Sequence, residues 1–203
     1  MIKNIVFDFG DIFINLDKEA TFKELAKLGV HSVSDQMLTI AHQYEKGEIV
    51  TEDFISYFKK EFLLTKEELI LAWNAILLDF PIQRLQFLKT LAESKKYRLF
   101  LLSNTNDLHI KWIRNDWGEV LYQEFKNCFE QFYLSHEIGF RKPNLDIYEF
   151  VLKENNLKAE ETFFIDDTIE NTLAAEILGI KTWNIIPNKE DVTTLLTKKE
   201  FNQ

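Results

Sequence analysis

The chain has 203 residues and a net charge of −9, and 46% of it is hydrophobic, with 18 Phe and 4 Trp. That is enough apolar material for one domain with a sizeable insertion, and the acidic balance excludes nucleic acid and anionic membrane as default partners, since both call for basic surface. Cys128 is the only cysteine, so no intramolecular disulfide can form, and with no membrane-length apolar run and no room for a leader before the first strand, a cytoplasmic protein is expected.

Ile5-Val6-Phe7 opens the pattern: residues 2–8 read as a buried parallel strand that ends in Asp8 and turns at Gly10. The period then becomes helical. Apolar spacing predicts helices over 18–28 (closed by Gly29), 34–46, 52–62, 66–78 and 81–95, with Thr51 before Glu52-Asp53 and Thr65 with Glu68 as start signals. Nothing between 16 and 95 reads as a strand. A strand returns over 97–102 and runs into Ser103-Asn104, followed by a helix near 108–112 and a short strand over 129–134. A helix over 145–155 precedes the strand 162–165, which ends in Asp166-Asp167. A helix over 169–178 stops at Gly179, and a last strand over 181–186 closes at Pro187. Residues 197–203 are polar and expected to fray. Alternating strands and helices predict an α/β fold with an open parallel sheet. The all-helical stretch is too long for one crossover, so residues 1–15 and 96–203 are read as the core. Residues 16–95 are read as an inserted helical unit whose final helix leads back to it.

Parallel strands present their carboxyl ends along one edge, where ligands bind. Here those ends carry Asp8, Ser103-Asn104 and Asp166-Asp167, with Lys142 in the nearby loop Gly139-Phe140-Arg141-Lys142-Pro143. Carboxylates brought together there raise one another's pKa unless a cation sits between them, and oxygen ligands without a His or Cys cluster suit Mg²⁺. A site holding Mg²⁺ can accept a phosphate dianion, with Ser103 and Asn104 donating hydrogen bonds and Lys142 supplying fixed positive charge.

The ordered set Asp8-Phe9-Gly10-Asp11, Ser103-Asn104, Arg141-Lys142-Pro143 and Asp166-Asp167 resembles the four motifs of the haloacid dehalogenase-like (HAD) superfamily. The resemblance runs from residue 2 to about 186, with the helical segment where that family inserts its C1-type cap. Leu102 to Asn106, Arg141 to Pro143, Phe164 to Asp167 and, in the cap, Tyr44 to Ile49 resemble its bacterial sugar-phosphate phosphatases, a branch that includes α-glucose-1-phosphate phosphatase. The resemblance implies a Rossmann-like core and a Mg²⁺-dependent phosphatase acting on a small phosphorylated metabolite such as a hexose phosphate. Asp8 would be the nucleophile that forms an aspartyl-phosphate. Asp8, the Gly10 carbonyl and Asp167 would hold Mg²⁺, with Asp166 binding it directly or through water, while Ser103 and Lys142 would hold the phosphoryl group. The family's usual second aspartate, two residues after the nucleophile, is Gly10 here, as in the resembled branch. Asp11 is expected to bond the turn rather than replace that acid.

Other residues take blander readings. Arg141 is read as a solvated charge, Tyr44 and Trp73 as bundle core rather than pocket lining, and the four His as structural or surface groups; Asn171 is either a partner of a metal ligand or an ordinary helix residue. Two competing functions are a metal-independent 2-haloacid dehalogenase, disfavoured by the paired acids, and a phosphate-binding regulatory protein favoured only by Gly10. Oligomeric state is not legible.

Overall fold

Five apolar runs become five parallel strands: β1 (Asn4–Phe7), β2 (Arg98–Ser103), β3 (Gln131–Leu134), β4 (Thr162–Asp166) and β5 (Lys181–Asn184), in the spatial order β3-β2-β1-β4-β5. They belong to a computed structural model that describes residues 1–202. The helices between β1 and β2 are α1 (Ala20–Lys27), α2 (Asp35–Glu45), α3 (Thr51–Phe62), α4 (Lys66–Asn74) and α5 (Ile82–Glu93). Those after β2 are α6 (Asp107–Trp117), α7 (Glu119–Lys126), α8 (Ser135–Ile138), α9 (Leu145–Glu154), α10 (Ile169–Ile177) and α11 (Lys199–Asn202). Phe7 stands in register with Leu101 of β2 and Ile165 of β4, so the residues just beyond these three strands share one edge. The strand order reverses at β1, the position at which a doubly wound sheet opens a crevice.

Alternation along each strand builds two layers. Ile5, Phe7, Leu99, Leu101, Phe163 and Ile165 pack against Leu85, Leu88 and Leu91 of α5 and against α6 and α7. Val6, Phe100, Leu102 and Phe164 face the other way, onto Ile147, Tyr148 and Val151 of α9 and Ala174 and Ala175 of α10. A third cluster is confined almost wholly to α1–α4 and their loops, with Tyr44, Phe54, Phe58 and Leu69 at its centre. Helix α5 therefore packs with the sheet, not with the other inserted helices. The chain enters and leaves those four helices side by side. Leu16 and Leu77 form an antiparallel bridge, and Asn15 and Asp17 donate backbone hydrogen bonds to Asp79 and Ile76, each at 2.9 Å.

Several boundaries differ from the pattern-based expectation, each for a physical reason. The capping box of Thr65 and Glu68 is present in both directions. Thr51 is not a cap: Val50 occupies that position, and the Thr51 hydroxyl instead donates to Asp107 at 2.7 Å. Helix α4 ends at Asn74 because the next residues pair with the incoming strand-like segment. Helix α7 was not foreseen and α6 is longer than expected; the break between them is Gly118, whose φ of 75° favours glycine. The C-terminal expectation is corrected. Residues Val192–Thr197 form a 3₁₀-helix, and the buried Phe201 ring meets Phe163 at 5.2 Å and Tyr97 at 5.4 Å between centroids. Residue 203 of that stretch lies outside the described residues. Among the described residues no helix is long and apolar enough to cross a membrane.

Candidate active site

Asp8 follows β1 directly and is fixed by its own N–H, which donates to Ile165 on β4 at 2.9 Å. Lys142 reaches the same edge from the loop before α9, and its side chain is 1% exposed. Its ammonium has three protons, and three acceptors take them: Asp8 Oδ1 at 2.7 Å, Asp166 Oδ2 at 2.6 Å and the Leu102 carbonyl at 2.8 Å. A buried charge in this state is fully paired, the condition under which its desolvation is offset. The Lys142 backbone is held as well. Its N–H donates to Asn104 Oδ1 and its carbonyl accepts from Asn104 Nδ2, both at 2.9 Å. Sequence reasoning gave the Asn104 amide a ligand to donate to; in the structure both ends of that amide grip Lys142. Ser103, the last residue of β2, is buried, and its hydroxyl makes no hydrogen bond among the described residues.

Asp166 ends β4 with its side chain fully buried. Both its oxygens accept from Asn171 Nδ2 at 3.0 Å, and Oδ1 also accepts from the Thr168 N–H at 2.8 Å. Asn171, left open between two readings, is thus an orienting partner of Asp166. The buried Asp167 carboxylate is paired through Oδ2 with Lys18. Asp11 stands nearby with a φ of 55°, its Oδ1 accepting from the Leu16 N–H at 3.1 Å and its Oδ2 lying 3.3 Å from Lys18 Nζ. Asp11 therefore bonds the turn, as its position suggested. A Cβ on Gly10 would come within 2.6 Å of Leu16 Cδ1, so any side chain there requires Leu16 to move.

Among the described residues, Asp8, Asp166 and Asp167 each offer one oxygen within 4.8 Å of the others. Burial pushes the Asp8 carboxyl up to about 7; Lys142 works against the rise, while Asp166 and Asp167 add to it. Asp167 is also raised, chiefly by burial and against the pull of Lys18. Burial alone would lower the Lys142 ammonium, but Asp166 and Asp8 outweigh it and hold the group above its ordinary range. A crowded set of oxygen donors, in which Asp8 and Asp167 are both raised, is a fit for a hard divalent cation.

A family model described as haloacid dehalogenase-like hydrolase matches residues 2–179. The chain belongs to that family. A D-ribitol-5-phosphate phosphatase of Bacteroides thetaiotaomicron is 29% identical to this HAD-like hydrolase over 195 residues, covering 90% of this chain and 91% of that one. A glyceraldehyde 3-phosphate phosphatase of Methanocaldococcus jannaschii is 27% identical over 208 residues, covering 93% and 87%. Among solved structures, a HAD family enzyme from Bacteroides thetaiotaomicron in a magnesium complex superposes with a TM-score of 0.86 at 34% identity, covering 97% of this chain and 99% of that one.

Several contacts seat the inserted helices of this HAD-like hydrolase on the helices and loops beyond the sheet edge. The Tyr44 hydroxyl accepts from the Leu108 N–H at 3.1 Å, Arg141 Nε donates to Glu45 at 2.6 Å, and Gly47 lies so close to the His136 carbonyl that a Cβ would collide with it. Arg141 is therefore a bridge between the two units and not a solvated charge. Trp73 Nε1 donates to Asn106 Oδ1 at 3.4 Å, and its carbonyl lies 3.2 Å from His109 Nε2. Sequence reasoning missed Lys18, Glu45 and His109 as members of this region. The only signal for Glu45 was its place in the Tyr44–Ile49 stretch that resembles the sugar-phosphate phosphatases.

Proposed function

We propose that this HAD-like hydrolase is a Mg²⁺-dependent phosphatase that hydrolyses a small phosphorylated metabolite through an aspartyl-phosphate on Asp8. The observation that carries the reading is the buried Asp8–Lys142–Asp166 arrangement beside Asp167, whose charges call for a divalent cation. Support comes from the relatives: one acts on ribitol 5-phosphate and one on glyceraldehyde 3-phosphate, and the similar solved enzyme is a magnesium complex. A phosphorylated polyol or sugar, hexose phosphates included, fits that company.

Asp8, the Gly10 carbonyl and Asp167 would hold Mg²⁺, and Asp166, whose oxygens already accept from Lys142, Thr168 and Asn171, suits contact through water. When bound, the cation supplies the charge that keeps Asp8 ionised and draws electron density from the phosphoryl oxygens. Lys142 holds Asp8 Oδ1, leaving Oδ2 to attack phosphorus. The bond from phosphorus to the ester oxygen breaks with its electron pair, and that oxygen takes a proton from solvent, since Gly10 offers no carboxyl. Water then attacks phosphorus, the Asp8–phosphorus bond breaks, and inorganic phosphate leaves as Asp8 recovers its carboxylate. Ser103 Oγ donates to a phosphoryl oxygen, the Lys142 ammonium, its three protons held by Asp8, Asp166 and the Leu102 carbonyl, supplies fixed positive charge to the phosphoryl group, and Asn104 keeps Lys142 in place.

In this reading residues 1–15 and 96–203 are the catalytic core and 16–95 the cap, with α5 its return to the core. A cytoplasmic location accords with a lone cysteine and an acidic surface. A metal-independent dehalogenase is disfavoured, because it has no use for the acid cluster. The test is release of phosphate from ribitol 5-phosphate, glyceraldehyde 3-phosphate and hexose phosphates, each with Mg²⁺ and with excess chelator, and of halide from 2-chloropropionate. Phosphate release that needs Mg²⁺ is expected. Halide release without metal, or phosphate release indifferent to chelator, would overturn the proposal.

A further inference from the structure

The residue that no part of this scheme uses is Lys18. It lies two residues before α1, at the point where the chain enters the cap, and its ammonium bridges Asp167 Oδ2 and Asp11 Oδ2. Both acidic partners are well buried, with side chains 5% and 9% exposed, whereas Lys18 itself is 54% exposed. Asp11 is aimed for this contact. Its left-handed backbone and the Leu16 N–H on Oδ1 leave Oδ2 facing Lys18.

With the carboxylates ionised, Asp8, Asp11, Asp166 and Asp167 carry four negative charges, and Lys142 and Lys18 carry two positive ones. The balance equals the charge of one divalent cation. Without Lys18 the same site would hold one further negative charge after the cation had entered, and a phosphate dianion would meet that excess. We infer that Lys18 is a positioning residue that sets the charge of the metal site: it weakens the hold of Asp167 on the cation and, in return, lets a phosphate dianion enter. The inference rests on the proposed Mg²⁺ site and adds to it the role of a residue outside the motifs.

The two effects have opposite signs, which separates them from a merely structural role. Replacing Lys18 by Met removes the charge and keeps the apolar stem. Titration calorimetry of Mg²⁺ into Lys18→Met is expected to show binding about two- to fivefold tighter than wild type, the scale of a partly exposed ion pair. Inorganic phosphate titrated into the Mg²⁺-saturated variant is expected to bind weaker by a similar factor, and Lys18→Arg is expected to restore both. Lys18→Gln serves as a second neutral variant, and far-ultraviolet circular dichroism confirms the fold of each. Loss of both affinities together in the neutral variants, or no change in either, would overturn the inference while leaving the phosphatase reading intact. Wild type that takes up no Mg²⁺ would instead overturn the phosphatase reading, and this inference with it.

Discussion

Asn171 and Asn104 show how much of the site depends on side chains that hold other groups in place. Asn171 spans both oxygens of Asp166, and Asn104 clamps the backbone on both sides of Lys142. Partners of metal ligands are worth about 10–100-fold in metal affinity when removed. Asn171→Ala is accordingly expected to weaken Mg²⁺ binding by about that factor in a calorimetric titration, with the fold intact; unchanged affinity would show that Thr168 and Lys142 suffice to orient Asp166. The principal acids and Lys142 were legible in the sequence, because each stands at the end of an apolar run or beside a proline in a motif of fixed order. Their partners were not. Lys18 lies 149 residues from Asp167 and Asn104 lies 38 from Lys142, so no local pattern registers either pair. The glycine at position 10 was visible, but its crowding by Leu16 required the fold.

At the scale of elements, the strands were the most readable part, since buried parallel strands are short, continuous and apolar. The helices of the cap were found by period, while their ends shifted wherever a tertiary contact competed with helix continuation, as at Asn74 and Thr51. The packing of the cap against α6 was not readable at all. There His109 Nδ1 accepts from Asn106 Nδ2 at 3.1 Å and Nε2–H donates to the Trp73 carbonyl, a pairing only the neutral ring can make. Burial pulls the His109 pKa down to about 4, with the Trp73 carbonyl opposing and His136 assisting, against an unfolded value near 6.5. Between those values the unfolded chain binds more protons than the folded one, so stability rises with pH through the window and is lost as pH falls from about 6.5 towards 4. The loss is expected to be on the order of 1–3 kcal/mol. Urea unfolding at pH 7 and pH 4.5 checks it: the stability difference between wild type and His109→Gln should shrink at the lower pH. A difference independent of pH would show that His109 is not held neutral.

For the molecule as a whole, a parallel sheet gathers four separate stretches of chain at one edge, and a helical unit joined through paired segments at 14–17 and 76–79 closes over them. The contacts of Glu45, Gly47 and Trp73 place the cap against the segments that carry Arg141, His136 and Asn106. The most direct measurement is the rate of phosphate release by Asp8→Asn and wild type on the substrate turned over best, at saturating Mg²⁺. Under the proposed chemistry the variant is expected to fold, to keep a neutral group of the same shape beside Lys142, and to lose at least about a thousandfold in rate, as when a covalent nucleophile is removed. A variant that releases phosphate within tenfold of wild type would contradict it, and would move the nucleophile away from the end of β1.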